Sequence, residues 1–232
     1  MRLNNLGLYE LFLEKGISSL FHANTIATSL TYIAKNGLLS RKYVEEKGLY
    51  QTPQESDNID KKHDVFDDIF LDTVDLHRHF GRQNHYGPSL FRLDLDLLLD
   101  EELQVWVTKN NPVYWSGLTD NAQKYFGDVE ELALEWDKYE RHRKMVTIRR
   151  LGRPLSFDYL RDITVDDPRL SIDTNLNLGQ ESLKAMNEAV QTWGLGRCPV
   201  IARECGSCFC SENYARQVGI PELIQKFIPR TF

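Results

Sequence analysis

The chain has 232 residues, 41% of them hydrophobic and 11% aromatic, enough apolar material for one packed domain spanning residues 1–232 and too much for wholesale disorder. No stretch approaches the roughly 20 apolar residues that a membrane helix needs. The N-terminal segment carries Asn, Tyr and Glu within its hydrophobic pattern, so neither a secretory leader nor a membrane contact is expected and a cytoplasmic location is. A net charge of −6 excludes a surface coated for non-specific nucleic-acid binding.

The hydrophobic spacing over residues 5–15 predicts a helix stopped by Gly16, and "ISSLFHA" predicts a short strand. Ile26, Leu30, Ile33 and Ala34 recur at helical spacing up to Asn36 and Gly37, a left-handed stop. An exit segment carrying Arg41 follows, and the polar stretch 48–64, with Pro53, reads as a loop. "VFDDIFLDTV" predicts a buried strand around Ile69 to Leu71. "DLHRHFGRQNHYG" reads as a loop, and "PSLFRLDLDLLL" as a strand running to a turn at Asp100. "LQVWVTKNNPVYW" predicts a strand with an Asn-Pro turn, residues 119–144 a largely helical stretch, and "MVTIRRL" another strand. A helix closing at Gly194 comes next, then one or two strands over "CPVIARECGSCFCSENYA", and a last helix opened by Pro221. Convincing βαβ units are few, so the expected fold is α/β of the α+β kind, a mixed sheet core with helical insertions rather than a doubly wound parallel sheet.

No glycine-rich nucleotide fingerprint, Walker loop, zinc-protease helix or nucleophile elbow is present. All four cysteines, Cys198, Cys205, Cys208 and Cys210, fall within thirteen residues. That crowding favours thiols packed as small hydrophobes over the two separated knuckles of a structural zinc site, and no metal ligand is assigned. His77, His79 and His85 stand among Arg78, Arg82 and Tyr86, a set suited either to a phosphate-rich ligand or to a plain solvated loop. The segment from Lys138 to Arg153 concentrates basic residues. Arg143, Lys144, Arg149 and Arg150 form a candidate stripe for tracking a phosphate backbone, with Tyr139 and His142 available to stack.

The stretch "FHANTIATSLTYIAKNGLLS" places His22 and Asn24 where the first strand gives way to a helix, and closes that helix with Gly37-Leu38-Leu39. It resembles the N-terminal signature of the DarT-like ADP-ribosyltransferases, bacterial toxins that modify nucleic acid. Asn24 stands where that signature has threonine, and Thr28 where it has asparagine. The resemblance continues through "DDIFLD" and "NHYGPSLFRLDL", in the places of the family's second and third strands. It implies NAD as substrate, positioned by His22, Asn24 and Thr28, with Arg41 on its phosphates and Tyr86 stacked on nicotinamide.

It also implies a late glutamate that stabilises the ribosyl cation as positive charge develops. Glu212 is preferred for its distance from the Ile-Pro pair, and Glu204 at a strand end is the competitor. The resulting expectation is an NAD-dependent mono-ADP-ribosyltransferase acting on a DNA or RNA base, as the toxin of a toxin–antitoxin or phage-defence system restrained by a cognate antitoxin. The rival is a non-catalytic, zinc-assisted nucleic-acid-binding module built on the C-terminal cysteines.

Overall fold

The computed structural model describes residues 2–138, 144–172, 176–203 and 208–229. In chain order the elements are α1 (Asn5–Glu14), β1 (Ser19–Asn24), α2 (Ile26–Ala34), β2 (Gly37–Leu38), α3 (Arg41–Glu46), α4 (Asp57–Lys62), β3 (Asp68–Asp72) and α5 (Leu76–Phe80). There follow β4 (Ser89–Asp94), β5 (Val105–Thr108), α6 (Asn121–Lys124), α7 (Val129–Leu134), β6 (Met145–Arg149), β7 (Leu155–Ser156) and β8 (Leu160–Val165). The chain continues through α8 (Leu178–Thr192), β9 (Val200–Ala202), α9 (Cys210–Gln217) and α10 (Ile220–Phe227). Seven strands form one mixed sheet in the order β5-β6-β3-β1-β4-β8-β9, antiparallel throughout except where β9 runs parallel to β8. The expected α+β architecture, a mixed sheet with helical insertions, is what the chain adopts.

The local reasons are legible. Thr25 is extended and caps α2, its side chain accepting from Thr28 N. Asn36 then turns left-handed (φ 51°) and stops the helix. The next residue must be glycine, because a Cβ on Gly37 would lie 2.6 Å from the Leu155 carbonyl oxygen across the β2–β7 pair. In α8, Leu178, Ser182, Met186 and Val190 are buried at four-residue intervals, and that stripe packs against α2 and β9, with α10 lying on both helices. Leu20, Ile69, Leu71, Phe91 and Ile163 from the sheet meet Ile26, Tyr32, Ile33 and Met186 from the helices in the main core.

Four expectations change, the first being that the polar stretch 48–64, read as a loop, holds the helix α4. The stretch 119–144 yields only α6 and α7 among its described residues, because Tyr125 between them is extended, bridges to Thr108 and packs edge-on against Trp106 and Trp115. The histidine-rich loop contains α5: Asp75 accepts from His77 N at 3.1 Å and from Arg78 N at 3.4 Å, and Gly81 (φ 64°) ends it. After β9, residues 210–217 are helical rather than extended, with Cys210 and Tyr214 one turn apart, both buried against Leu178, Leu223 and Phe227.

A buried ion network closes this end of the sheet. Asp166, just past β8, accepts from Arg203 Nε (2.5 Å), His77 Nδ1 (2.8 Å) and the Tyr214 hydroxyl (3.2 Å). Arg203 also donates to Asp75 at 2.6 Å. Burial alone would lower the arginine's pKa, but the charges of Asp166 and Asp75 raise it instead. Removing one partner leaves the other charge stranded away from water. Asp166→Ala is expected to cost about 3–5 kcal/mol of unfolding free energy, measured by urea denaturation. A change under about 1 kcal/mol, the scale of an exposed pair, would sink this account of the network.

Candidate functional site

β1 and β3 are neighbours in the sheet, yet they register through a single residue pair, Phe21 opposite Asp72. Beyond that pair the missing ladder is replaced by a side chain: His22 Nδ1 lies 2.8 Å from the Phe70 carbonyl oxygen. A cleft opens alongside, lined by His22, Asn24, Tyr32, Arg41, Asp68, Asp72, Tyr86 and Asn111 among others, with Phe70, Leu76, Val113 and Met145 supplying apolar wall. A concave, largely apolar cleft with a few convergent polar groups is the usual form of a small-molecule site.

The chemistry of His22 follows from its partner. A carbonyl oxygen only accepts, so Nδ1 carries the proton and Nε2 presents a lone pair. Burial depresses the ring's pKa against the raising effect of the Phe70 carbonyl, and the Arg41 charge lowers it further, so the imidazole is neutral near pH 7. Nε2 is buried and meets no hydrogen-bond partner among the described residues. It is an acceptor waiting for a hydroxyl or amide donor.

Asn24 and Thr28 are engaged inward. The Asn24 side chain donates to the Tyr32 hydroxyl (3.1 Å) and accepts from Thr25 N (2.9 Å), so it shapes the cleft wall. Thr28 is fully buried and lies outside the cleft lining. Its hydroxyl oxygen accepts from Thr52 N at 2.9 Å, pinning the 48–56 segment over the start of α2. Arg41 donates through Nη2 to Thr52 O (3.0 Å) and Asp57 (2.7 Å), which leaves Nη1 buried and unpartnered among the described residues.

Tyr86 stands on the opposite lip, its hydroxyl accepting from Asn111 Nδ2 at 3.4 Å. The next residue, Gly87 (φ 150°), passes so close to the β1–α2 junction that a Cβ there would lie 2.3 Å from the Asn24 carbonyl. Only glycine lets the Tyr86 segment seat against Asn24.

Three carboxyls line the cleft, all raised by burial but with different partners. Burial raises Asp60 to about 6. Burial raises Asp68 to about 7 although Arg149 Nε donates to it at 2.9 Å and pulls the other way. Burial, with the nearby Asp75 charge, raises Asp72 to about 7, and no cation among the described residues offsets it. Sequence reasoning passed over Asp72, whose one signal was a carboxylate ending a buried strand.

The preferred glutamate, Glu212, lies on α9, half exposed, pairs with Arg216 one turn on at 2.6 Å, and does not line the cleft. Glu204 falls outside the described residues, as do Arg143, Tyr139 and His142. The rest of the basic stripe is engaged within the fold. Lys144 is buried, donates to Lys138 O at 2.6 Å and sits over the Phe126 and Trp136 rings. Arg149 holds Asp68 and Asp64 O and lies over Trp106. Arg150, more exposed, pairs with Asp64. Lys144 and Arg150 flank β6 and Arg149 ends it, and of these three Lys144 and Arg149 are drawn into the fold while Arg150 stays exposed.

No helix among the described residues is long and apolar enough to cross a membrane. No protein-family model matches the sequence, and no curated protein matches it. Among solved structures, the DarT protein of Thermus sp. 2.9 in complex with carba-NAD+ is similar over 82% of this chain and 96% of its own, at 12% identity and a TM-score of 0.47. A likeness at that level assigns neither family nor activity to this chain.

The state of Asp72 is testable through stability. The unfolded chain ionises this carboxyl from about pH 4, whereas the folded chain holds the proton until about 7, so the group costs stability as pH rises through that window and the cost is complete above it. Asp72→Asn is therefore expected to raise the melting temperature at about pH 8 and to leave it unchanged near pH 4. An equal shift at both values would mean that Asp72 titrates normally.

Proposed function

We propose that the chain is an NAD-dependent mono-ADP-ribosyltransferase whose substrate lies in the cleft between β1 and β3. The observation that carries the reading is convergence. Of the five residues that the resemblance implies for NAD, His22, Asn24, Arg41 and Tyr86 line the same cleft although the sequence scatters them. The neutral His22 Nε2 is an acceptor suited to a ribose hydroxyl, Arg41 Nη1 a donor suited to a phosphate oxygen, and the Tyr86 ring a face for nicotinamide.

In this reading the ribosyl cation that forms as nicotinamide leaves is stabilised by Asp72 rather than Glu212. Asp72 is the cleft carboxyl whose charge no cation among the described residues offsets, and its ionised form gains most from a positive charge appearing beside it. Glu212 spends its charge on Arg216 at the surface. The acceptor we propose is a DNA or RNA base, as the resemblance implies, and the toxin role, the cognate antitoxin and the cytoplasmic setting belong to the same proposal. Lys144 and Arg149 lend nothing to that part, since both serve the fold.

The test is nicotinamide release from labelled NAD by the full chain, with transfer scored separately on DNA, RNA and protein. Wild-type protein that neither binds nor cleaves NAD would end the proposal. His22→Ala is expected to weaken NAD binding, read by calorimetry, and to lower the melting temperature modestly because Phe70 O loses its partner, the chain still unfolding in one cooperative transition. Asp72→Asn should lower turnover by about 10²-fold or more while NAD still binds, because the lost charge acts mainly in the transition state. Glu212→Gln should leave turnover within about twofold of wild type, and the reverse ranking of these two variants would return the role to Glu212. With Asp72 acting as the anion, activity should rise with pH through about 7.

A further inference from the structure

The histidine-rich segment and the C-terminal cysteines, far apart in sequence, meet in space. His77 Nε2 lies 3.4 Å from Cys208 Sγ, and Cys208 Sγ lies 3.0 Å from Cys210 Sγ. The three ligand atoms fall within 4.8 Å of one another. The sulfur–sulfur contact is far longer than the roughly 2.05 Å of a disulfide. Zinc bonds of about 2.0 Å to nitrogen and 2.3 Å to sulfur, at a tetrahedral angle, would separate nitrogen from sulfur by roughly 3.6 Å and the two sulfurs by roughly 3.8 Å. Small side-chain rotations connect the observed arrangement to that one.

The surroundings are those of a metal-bound histidine. His77 is buried, and its other nitrogen, Nδ1, donates to the Asp166 carboxylate at 2.8 Å. That bond fixes the tautomer, leaves the Nε2 lone pair directed at the thiols, and raises its basicity. Asp166 is itself held by Arg203 and Tyr214, so the imidazole cannot swing away. A bare Cys-His-Asp nucleophile would need its thiol exposed to substrate, yet a second sulfur stands against Cys208 and Cys210 is fully buried.

We propose that His77 Nε2, Cys208 Sγ and Cys210 Sγ ligate one zinc ion, with a water completing its tetrahedron, that clasps α5 to the start of α9. On binding, the two thiols release their protons to solvent, and the two thiolates neutralise the dication. Cys205, in C-x-x-C spacing with Cys208, lies outside the described residues and is not counted among the ligands. The clasp is structural: it anchors the segment that begins at Asp75 and ends on Tyr86, so it sits behind the cleft rather than in it. It stands apart from the NAD reading, and either can fail alone.

The full chain, purified without chelator, is expected to carry about one zinc, released stoichiometrically by a thiol-blocking mercurial. Refilling the metal-free chain with cobalt should give thiolate charge-transfer absorption and the visible bands of a tetrahedral centre. Cys208→Ser, Cys210→Ser and His77→Ala should each lose the zinc. Because those variants touch a buried cluster, alkylation of the wild-type chain is the independent measure: Cys208 and Cys210 should resist it with metal bound and react once chelator is added. Zinc-free protein with no cobalt spectrum, a Cys208–Cys210 disulfide, or rapid alkylation of Cys208 in the metal-loaded chain would each overturn the proposal.

Discussion

Asp166 is the group on which the arrangement around the cleft depends. A carboxylate taken out of water is costly, and it survives only where its oxygens are filled by strong donors. Here Arg203, His77 and Tyr214 fill them, and the Asp166 backbone N–H bonds Pro88 O at 2.8 Å. Those partners come from the end of β9, from α5 and from α9. The charge network joins these elements alongside the apolar packing of Cys210 and Tyr214 on Leu178, Leu223 and Phe227, and it fixes from behind the segment that presents Leu76 and Tyr86 to the cleft.

The cleft owes its existence to a failure of strand pairing. Two adjacent strands that separate after one residue pair expose backbone groups, and a buried carbonyl left unpaired would be expensive. His22 resolves this by bonding Phe70 O, and the repair creates the chemistry: with Nδ1 committed, Nε2 becomes an acceptor facing the gap. The same logic separates the three cleft carboxyls. Asp68 has Arg149, Asp60 has the Ser56 hydroxyl, and Asp72 has neither, so identical side chains on adjoining elements differ in how strongly a passing cation would be welcomed.

Much of this was readable before any coordinates, and the limits are physical. Helical spacing and an Asn36-Gly37 stop located α2 closely, and β1, β3, β4 and β6 stood out as apolar runs. His22 was legible because a lone polar ring at a strand end next to a helix start has few other uses. Composition counts charges without saying where they point: of the basic stripe, Arg149 bonds Asp68 and Lys144 lies over aromatic faces, while Arg143 falls outside the described residues. β8, "LRDITV", drew no expectation because charges interrupt its apolar pattern, and those charges are satisfied across the strands, Asp162 by Arg92 and Arg161 by Asp94. Asp72 offers only a carboxylate ending a buried strand, and both the lack of a cation beside it among the described residues and the meeting of His77 with Cys208 depend on tertiary folding that spacing rules do not see.

The distance along the chain between the joined parts has a further consequence. His77 and Cys208 are 131 residues apart, and Asp75 and Arg203 are 128 apart. Contacts that close such long loops are slow to form. During synthesis β1 leaves the ribosome early, with His22 in place, whereas the residues that brace the Tyr86 segment emerge only after almost the whole sheet has been made. A growing chain thus carries half of its cleft long before the other half is held in position, and the cell that makes it is given an interval in which the protein is present and its site is not.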